Sequence, residues 1–364
     1  MVAENKKIKV FLATGGSGGH IFPAISIAEK LTNDNNNICI IADKIYQKYS
    51  SCNLNYRIID AGKTLKSFSS IKSIITGFFQ AVKLIKFEKP DLVIGFGSYA
   101  TLPTLMACIW TKTPYILHEQ NAYIGKINKL FGKNAKKIMT TYHELFGVKF
   151  NDMDKIVYTG NPVRKDIKKL KDVEYLYPKD GEKFITLITG GSGGAQIFSE
   201  YLPKIFDEKH KDEQKNLRVY HQVREEFVDT VREYYKKIGL DAVVEPFFNN
   251  MNELLAKAHL IIGRAGSGTL CETSISGKPS ILIPLTNRGN NRQEVNARTF
   301  EKNNAGIVIL EKDFNIKDFQ KLFFELIKDK NRLEEMSRNA RKIAVVDADD
   351  EILKIIKNVV QQKN

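Results

Sequence analysis

No stretch of about 18 uncharged apolar residues occurs in the chain, so nothing in it reads as a bilayer-spanning helix. Its start lacks a cleavage-site pattern: the first apolar run, from Ile8 to Ala13, is short and ends in glycines. Only four cysteines occur, Cys39, Cys52, Cys108 and Cys271, with no C-x-x-C pair and no metal-like spacing to histidine. Reduced thiols in a cytosolic protein are the simplest account. The Walker A pattern is absent. G-x-G-x-x-G also fails, because Ile21 stands where the last glycine belongs when counting from Gly16. No familiar nucleic-acid module is recognisable, and the lysines are dispersed rather than clustered.

What is present is a chain of 364 residues, 43% hydrophobic and 27% charged, long enough for two domains with separate cores. Its 56 Lys and Arg against 42 Asp and Glu give a formal charge of +14, which favours anionic partners: phosphorylated substrates, anionic lipid or nucleic acid. The two halves open alike. A strand pattern beginning at Ile8 runs into TGGSGGH at 14–20 and then a helical pattern. A second strand pattern from Phe184 runs into TGGSGGA at 189–195 and another helix. Further strand candidates are Ile38–Ala42, Leu92–Gly95, Tyr115–Leu117 and Ile138–Thr140 in the first half. The second half offers Leu217–His221, Ala242–Val244, Leu260–Ile262, Ser280–Ile283 and Ile307–Ile309. Alternation of such runs with helical stretches predicts an α/β protein with a parallel sheet in each half. The boundary is expected near TGNPVR at 159–164, giving domains 1–163 and 164–345, with 346–364 an amphipathic helix capped by Asp347 or Asp349.

A glycine-rich turn entering a helix gathers backbone N–H groups and the positive end of the helix dipole at one point, where an anion can approach closely. A tight turn with no ligand is the plainer reading of one such loop; two matched copies favour a ligand. Other polar clusters follow apolar strands: HEQN at 118–121, GRAGSGTLCE at 263–272 and RGNNRQEVNA at 288–297. In the second of these Glu272 is either a ribose-hydroxyl acceptor or a solvated helix carboxylate. Asp43, just after the second strand, occupies the place of a dinucleotide enzyme's ribose-binding acid, which keeps an NAD(P)-dependent oxidoreductase open as a rival.

In order along residues 8–310, TGGSGGHIFPA, KPDLVIGFGSYATLPT, PYILHEQNAYIGKINK, TGNPVR, ITGGSGGAQ, GRAGSGTLCE and NRQEVNA resemble the MurG-type family, the glycosyltransferases that convert lipid I to lipid II. The resemblance implies a GT-B architecture, two Rossmann-like parallel-sheet domains facing across a cleft, with the C-terminal one holding the sugar nucleotide. It implies inverting transfer of N-acetylglucosamine from UDP-N-acetylglucosamine to the C4 hydroxyl of undecaprenyl-pyrophosphoryl-N-acetylmuramyl-peptide. It also implies a peripheral location on the cytoplasmic side of the bacterial plasma membrane. By motif, Ser17, Gly18 and Gly19 lie at the reacting sugar and diphosphate, and Asn121 contacts the sugar. Arg164 and Ser192 hold phosphate oxygens, and the Phe248 backbone reads the uracil. Ser267, Gly268, Thr269 and Glu272 bind diphosphate and ribose, and Gln293 binds the sugar hydroxyls. Three positions depart from the family pattern: Gly193 replaces a glutamine, Ser98 a glycine, and HQVRE at 221–225 an HQ-x-G.

The chemistry so implied needs a base for the acceptor proton and stabilisation of charge growing on the diphosphate. His20, directly after the first loop, is the candidate base, the alternative being a structural histidine bound to the loop backbone; Glu119 is the second candidate. Helix N-termini with Arg164 can stabilise the leaving group, so no metal or other cofactor is expected. The Asp347-Ala-Asp349 triplet reads as a helix cap. Residues 70–89 place Ile71, Ile74, Ile75, Phe78, Phe79, Val82 and Ile85 at helical spacing among Lys72, Lys83, Lys86 and Lys89. That stripe suits either a core face or an anionic membrane surface. Alternatives to the lipid II assignment are another GT-B enzyme, such as a glycolipid glycosyltransferase or a UDP-sugar 2-epimerase, and, in other classes, the oxidoreductase and a nucleic-acid binder.

Overall fold

A computed structural model describes residues 7–49, 54–62, 64, 66–148, 150–191, 194–207, 210–286 and 291–362. The chain forms two compact units, residues 1–164 with 345–364, and residues 165–344.

Unit 1 is built on a seven-stranded parallel sheet of β1 (Lys9–Thr14), β2 (Asn37–Ala42), β3 (Tyr56–Ile58), β4 (Leu92–Gly95), β5 (Tyr115–Glu119), β6 (Ile138–Thr140) and β7 (Ile156–Tyr158), in the order β3-β2-β1-β4-β5-β6-β7. Strand alternation sends Val10 and Leu12 to one face and Phe11 and Ala13 to the other. The first face is covered by α1 (Gly18–Asn33) and by the last helix of the chain, 348–361, through Ile352, Leu353, Ile356, Val359 and Val360. The second is covered by α2 (Phe68–Glu88), α3 (Leu102–Thr111) and α4 (Lys126–Phe131). With both faces buried, the central strands β1 and β4 carry continuous apolar runs, Val10–Ala13 and Leu92–Ile94.

Unit 2 repeats the plan with β8 (Phe184–Thr189), β9 (Leu217–Gln222), β10 (Ala242–Glu245), β11 (Leu260–Gly263), β12 (Ser280–Leu282) and β13 (Gly306–Val308), in the order β10-β9-β8-β11-β12-β13, all parallel. Its helices are α5 (Lys165–Lys168), α6 (Gln196–Tyr201), α7 (Lys211–Gln214), α8 (Val228–Ile238), α9 (Met251–Lys257), α10 (Ser267–Ile275), α11 (Arg292–Lys302), α12 (Ile316–Leu326) and α13 (Lys330–Lys342); α14 (Ala348–Gln361) is the helix that returns to unit 1. Helices α6, α8, α12 and α13 pack one core against the sheet, and Leu270, Ala297, Phe300 and Ala340 form a smaller one. In both units the first strand is central and the chain turns to opposite sides of it, so β1 and β8 end at topological switch points, where open α/β sheets bind ligands.

Two expectations change. Asp347 occupies the N-cap position of α14 but makes no side-chain capping bond; the carboxylates of Asp349, Asp350 and Glu351 fill the first turn, favourable to the helix dipole, and Asp350 pairs with Lys30 at 2.8 Å. The apolar stripe of α2 also divides. Ile74 and Ile85 are buried with Gly77 and Ala81, whereas Ile71, Ile75 and Phe79 are exposed. Cys39 and Cys108 are free, buried thiols; Cys52 lies outside the described residues.

Candidate active site

The first glycine loop leaves β1 through Gly15 (φ +141°) and Gly16 (φ +79°), reaches Ser17, and enters α1. A Cβ on Gly15 would lie 2.7 Å from both Ala100 Cβ and Asp43 Oδ1, so only glycine fits there. The loop is held from two sides. Asp43 accepts from the Gly16 amide at 3.2 Å and from Ile45 N at 3.2 Å. Ser98 Oγ donates to Gly15 O at 3.1 Å. Asp43 is therefore a brace for the loop and a cap for the turn that follows it, which removes the observation behind the oxidoreductase reading. His20 N and Ile21 N bond back to Ser17 O, so the amides of Gly18 and Gly19 begin the helix. A side chain at Gly19 would meet nothing nearer than Ser17 Oγ at 3.8 Å, so this turn faces open space.

Ser98, one of the departures from the family pattern, has φ +67°, a conformation that glycine adopts without strain. Its hydroxyl offsets that cost by donating to Gly15 O and accepting from Ala100 N, both at 3.1 Å. Ser98→Ala keeps the strained backbone and loses both bonds, so it should destabilise unit 1 by about 1–2 kcal/mol. Chemical denaturation checks this; an unchanged midpoint would mean that the bonds offset nothing.

His20 is the third residue of α1. Its Nδ1 lies 2.8 Å from Phe96 O and 2.9 Å from Gln120 Oε1, while Thr14 Oγ1 donates to its carbonyl at 2.7 Å. Glu119, at the end of β5, is differently placed. One carboxylate oxygen accepts from Asn121 N (3.1 Å) and Asn121 Nδ2 (3.2 Å); the other accepts from Gly125 N and Asn128 Nδ2, both at 2.8 Å. Four donors use the full acceptor capacity of a buried carboxylate. Glu119 thus organises residues 119–128, including Asn121, and its lone pairs are not available to take a proton from a substrate. Arg164, the last residue of unit 1 before the division, lies with its guanidinium 5.3 Å from the Phe22 ring centre, and Ser26 Oγ donates to the preceding carbonyl, Val163 O, at 2.8 Å.

In unit 2 the second loop leaves β8 through Gly190 and Gly191 (φ +73°) and returns at Gly194 (φ +64°). Ser192 and Gly193 lie outside the described residues. The frame of the loop comes from Gln222, which accepts from Thr189 Oγ1 at 2.8 Å and donates to Gly191 O at 3.1 Å and Pro246 O at 3.2 Å. Arg224, where the family pattern has glycine, has φ −66° and ψ 148°, which any residue adopts, so that departure imposes no strain.

The segment after β11 enters α10 through Gly266, with Ser267 as the first helical residue. Ser267 Oγ is buried and has no hydrogen-bond partner among the described residues, and a Cβ on Gly268 would meet nothing within 4 Å. An unpaired buried hydroxyl beside open space at a helix N-terminus is a ready anion site. Thr269 follows in the same turn, and Glu272, half-buried, comes about one and a half turns in. Arg264, not singled out in the sequence, is buried, donates to Ile283 O at 2.9 Å and pairs with Glu311. Phe248 follows β10, its ring buried 6.2 Å from that of Tyr220, which leaves the main chain as what this loop can present. Gln293, in α11, accepts from Leu285 N at 2.9 Å through Oε1, which turns its amide N–H group towards the other side, where it can donate to a ligand. Among the described residues no group of three or more His, Cys, Asp or Glu is placed to hold a metal ion.

Two Rossmann-like units, each with a glycine loop at its switch point, make the plan of a GT-B glycosyltransferase. The sequence models of the glycosyltransferase family 28 N-terminal and C-terminal domains match residues 10–140 and 185–352. A Phenylobacterium zucineum UDP-N-acetylglucosamine–N-acetylmuramyl-(pentapeptide) pyrophosphoryl-undecaprenol N-acetylglucosamine transferase is 31% identical over 96% of this chain and 98% of its own. The crystal structure of Acinetobacter baumannii MurG superposes with a TM-score of 0.76 at 25% identity, covering 96% of this chain and 99% of that one. A Listeria monocytogenes structure described as a UDP-N-acetylglucosamine 2-epimerase shares the fold, with a TM-score of 0.70 at 16% identity over 98% of each chain. The chain belongs to glycosyltransferase family 28 and, within it, to the MurG family of N-acetylglucosamine transferases.

Proposed function

We propose that this protein transfers N-acetylglucosamine from UDP-N-acetylglucosamine to the C4 hydroxyl of a lipid-linked N-acetylmuramyl-peptide, forming lipid II for peptidoglycan synthesis at the cytoplasmic face of the plasma membrane. The observation that carries the reading is the near full-length likeness to transferases named for this reaction, on a chain that keeps both glycine loops at switch points. Unit 2 is assigned the donor. Ser267, Gly268 and Thr269 at the start of α10 take the diphosphate with Ser192 and Arg164. Glu272 takes the ribose, the main chain at Phe248 the uracil, and the Gln293 amide the sugar hydroxyls. Unit 1 supplies the first loop, Ser17 to Gly19, at the reacting end, with Asn121 against the sugar.

In the reaction the acceptor C4 oxygen attacks C1 of the donor sugar from the face opposite the diphosphate. The new C–O bond forms as the C1–O bond to UDP breaks, and the configuration at C1 inverts. The hydroxyl proton passes to His20 Nε2, and the charge appearing on UDP is met by backbone N–H groups at helix N-termini and by Arg164. No step calls on a metal ion.

Alongside this, α2 and α3 present exposed apolar residues, with exposed lysines on α2 and its C-cap, which we assign to an anionic membrane surface. No described helix is long and apolar enough to cross a membrane.

The test is UDP release from UDP-N-acetylglucosamine with a short-chain lipid I analogue, without added metal and with UDP-glucose as control donor. Acceptor-dependent release specific to the N-acetyl donor is expected. Release without acceptor would point to an epimerase or a hydrolytic reaction instead, and dependence on added magnesium would overturn the metal-free chemistry.

A further inference from the structure

We propose that Gln120 and His118 are positioning residues for His20, forming a hydrogen-bond chain from the Gly160 carbonyl to His20 Nδ1 that holds the His20 proton on Nδ1 and its lone pair on Nε2. The inference rests on the reading of His20 as the base. It adds the residues that set the state in which that base waits.

Each direction in the chain is fixed by a group that can act in only one sense. At the far end His118 Nε2 lies 3.1 Å from Gly160 O; a carbonyl only accepts, so Nε2 carries the His118 proton and Nδ1 its lone pair. Gln120 Nε2 lies 3.1 Å from that lone pair and 3.3 Å from His118 O, so the amide N–H₂ donates on this side. The Gln120 carbonyl is thereby turned towards His20, whose Nδ1 stands 2.9 Å from Oε1 and 2.8 Å from a second carbonyl, Phe96 O. Two acceptors at one ring nitrogen require a proton there. The neutral imidazole of His20 therefore has its lone pair on Nε2, the state a general base needs.

Every member of the chain is kept from titrating in place of His20. Gln120 has no titratable group. His118 is fully buried, and that burial pushes its pKa down to about 4 against the opposing effect of its bond to Gly160. The neighbouring carboxylate, Glu119, is saturated by four N–H donors. A proton taken at Nε2 consequently leaves the positive charge on His20, where the Phe96 and Gln120 carbonyl dipoles stabilise it. The arrangement does the work of a triad's third member with neutral groups. It also ties three separated segments together, because the terminal acceptor, Gly160, belongs to TGNPVR and has φ +81°. A Cβ at Gly160 would lie 2.5 Å from Val345 Cγ1, so that carbonyl is held in place by the returning chain.

The experiment combines ¹⁵N NMR of histidine-labelled full-length protein with kinetics of Gln120→Met and His20→Gln. The His20→Gln spectrum assigns the His20 signals by their loss. In the parent protein His20 should show a pyrrole-type Nδ1 and a pyridine-type Nε2, and His118 the reverse. Gln120→Met keeps the bulk and removes both amide functions. It should lower kcat by about 10–100-fold with the KM for UDP-N-acetylglucosamine changed by no more than about threefold, and it should mix the His20 tautomers. A parent His20 protonated on Nε2 overturns the proposal without reference to any variant. So does a Gln120→Met protein with parental kcat and tautomer pattern while His20→Gln is inactive. If His20→Gln itself turns over like the parent, the base reading is what falls.

Discussion

His20→Gln is expected to lower kcat for acceptor-dependent UDP release by about 10²–10⁴-fold, the usual worth of a positioned general base. The KM for UDP-N-acetylglucosamine should stay within a few-fold, because His20 is not among the groups assigned to the donor. The alternative reading of His20, a structural histidine bound to the loop backbone, meets a difficulty in the observed bonds. Its ring does bond to the main chain, at Phe96 O, but through Nδ1, and a bond there orients Nε2 rather than consuming it. Glu119 gives the contrasting result. Its two oxygens satisfy four buried or part-buried donors, so Glu119→Gln turns an N–H₂ group towards N–H groups and should cost about 1–3 kcal/mol for each buried donor left unmet. The loss should appear in thermal unfolding, with turnover per folded molecule less affected than in His20→Gln. Near-parental turnover by His20→Gln together with a chemically dead but fully stable Glu119→Gln would reverse the assignment.

The contrast between these two residues also marks what a sequence can show. The central strands were legible because burial on both faces makes them continuous apolar runs: Leu92–Gly95 and Ile138–Thr140 fall where the pattern puts them. The edge strand Tyr56–Ile58 carries no such signal: its outer residues are half-buried and Arg57 at its centre is exposed; Ile156–Tyr158 at the other edge is apolar but only three residues long, too short a run to mark a strand. The two glycine loops were legible as loops, and their placement at switch points follows from strand order. Which polar residues face a ligand was not. Asp43 and Glu119 look like site carboxylates in the sequence, yet each is occupied by backbone or amide donors that come into range only on folding. The chain behind His20 was invisible for the same reason: its fixed ends are the main-chain carbonyls of Phe96 and Gly160, and a carbonyl has no letter in the sequence.

Replacing Ile75, Phe79 and Trp110 together by serine is expected to weaken binding to vesicles containing anionic lipid by about 100-fold or more, since burying each such side chain in the interface is worth up to about 1.5–3 kcal/mol. Helix α2 divides its apolar residues by packing distance. Gly77 lets it approach so closely that a Cβ there would lie 1.8 Å from Asp60 O, which buries Ile74, Ala81 and Ile85 and turns the next row outward. On that outer row Phe79 is 64% exposed and Phe68 86%; Trp110 of α3, 69% exposed, joins them through the edge of Phe78 at 6.3 Å. An apolar patch shared by two helices costs a water-soluble surface and is ordinarily covered by something. The charge around it suits the anionic membrane surface proposed for this face. Lys72, Lys83, Lys86 and Lys89 are exposed on α2 and its C-cap, and each contributes about 1 kcal/mol near an anionic leaflet. None of the three substituted side chains belongs to the buried core, so the serine variant should fold and should still release UDP with a short-chain acceptor in solution. Vesicle flotation separates the contributions: changing Lys72, Lys83 and Lys86 to Glu should abolish the preference for anionic lipid, and the serine variant should lose binding at every lipid composition. Flotation that ignores lipid charge, or that survives the serine changes, would leave this surface to a protein partner instead.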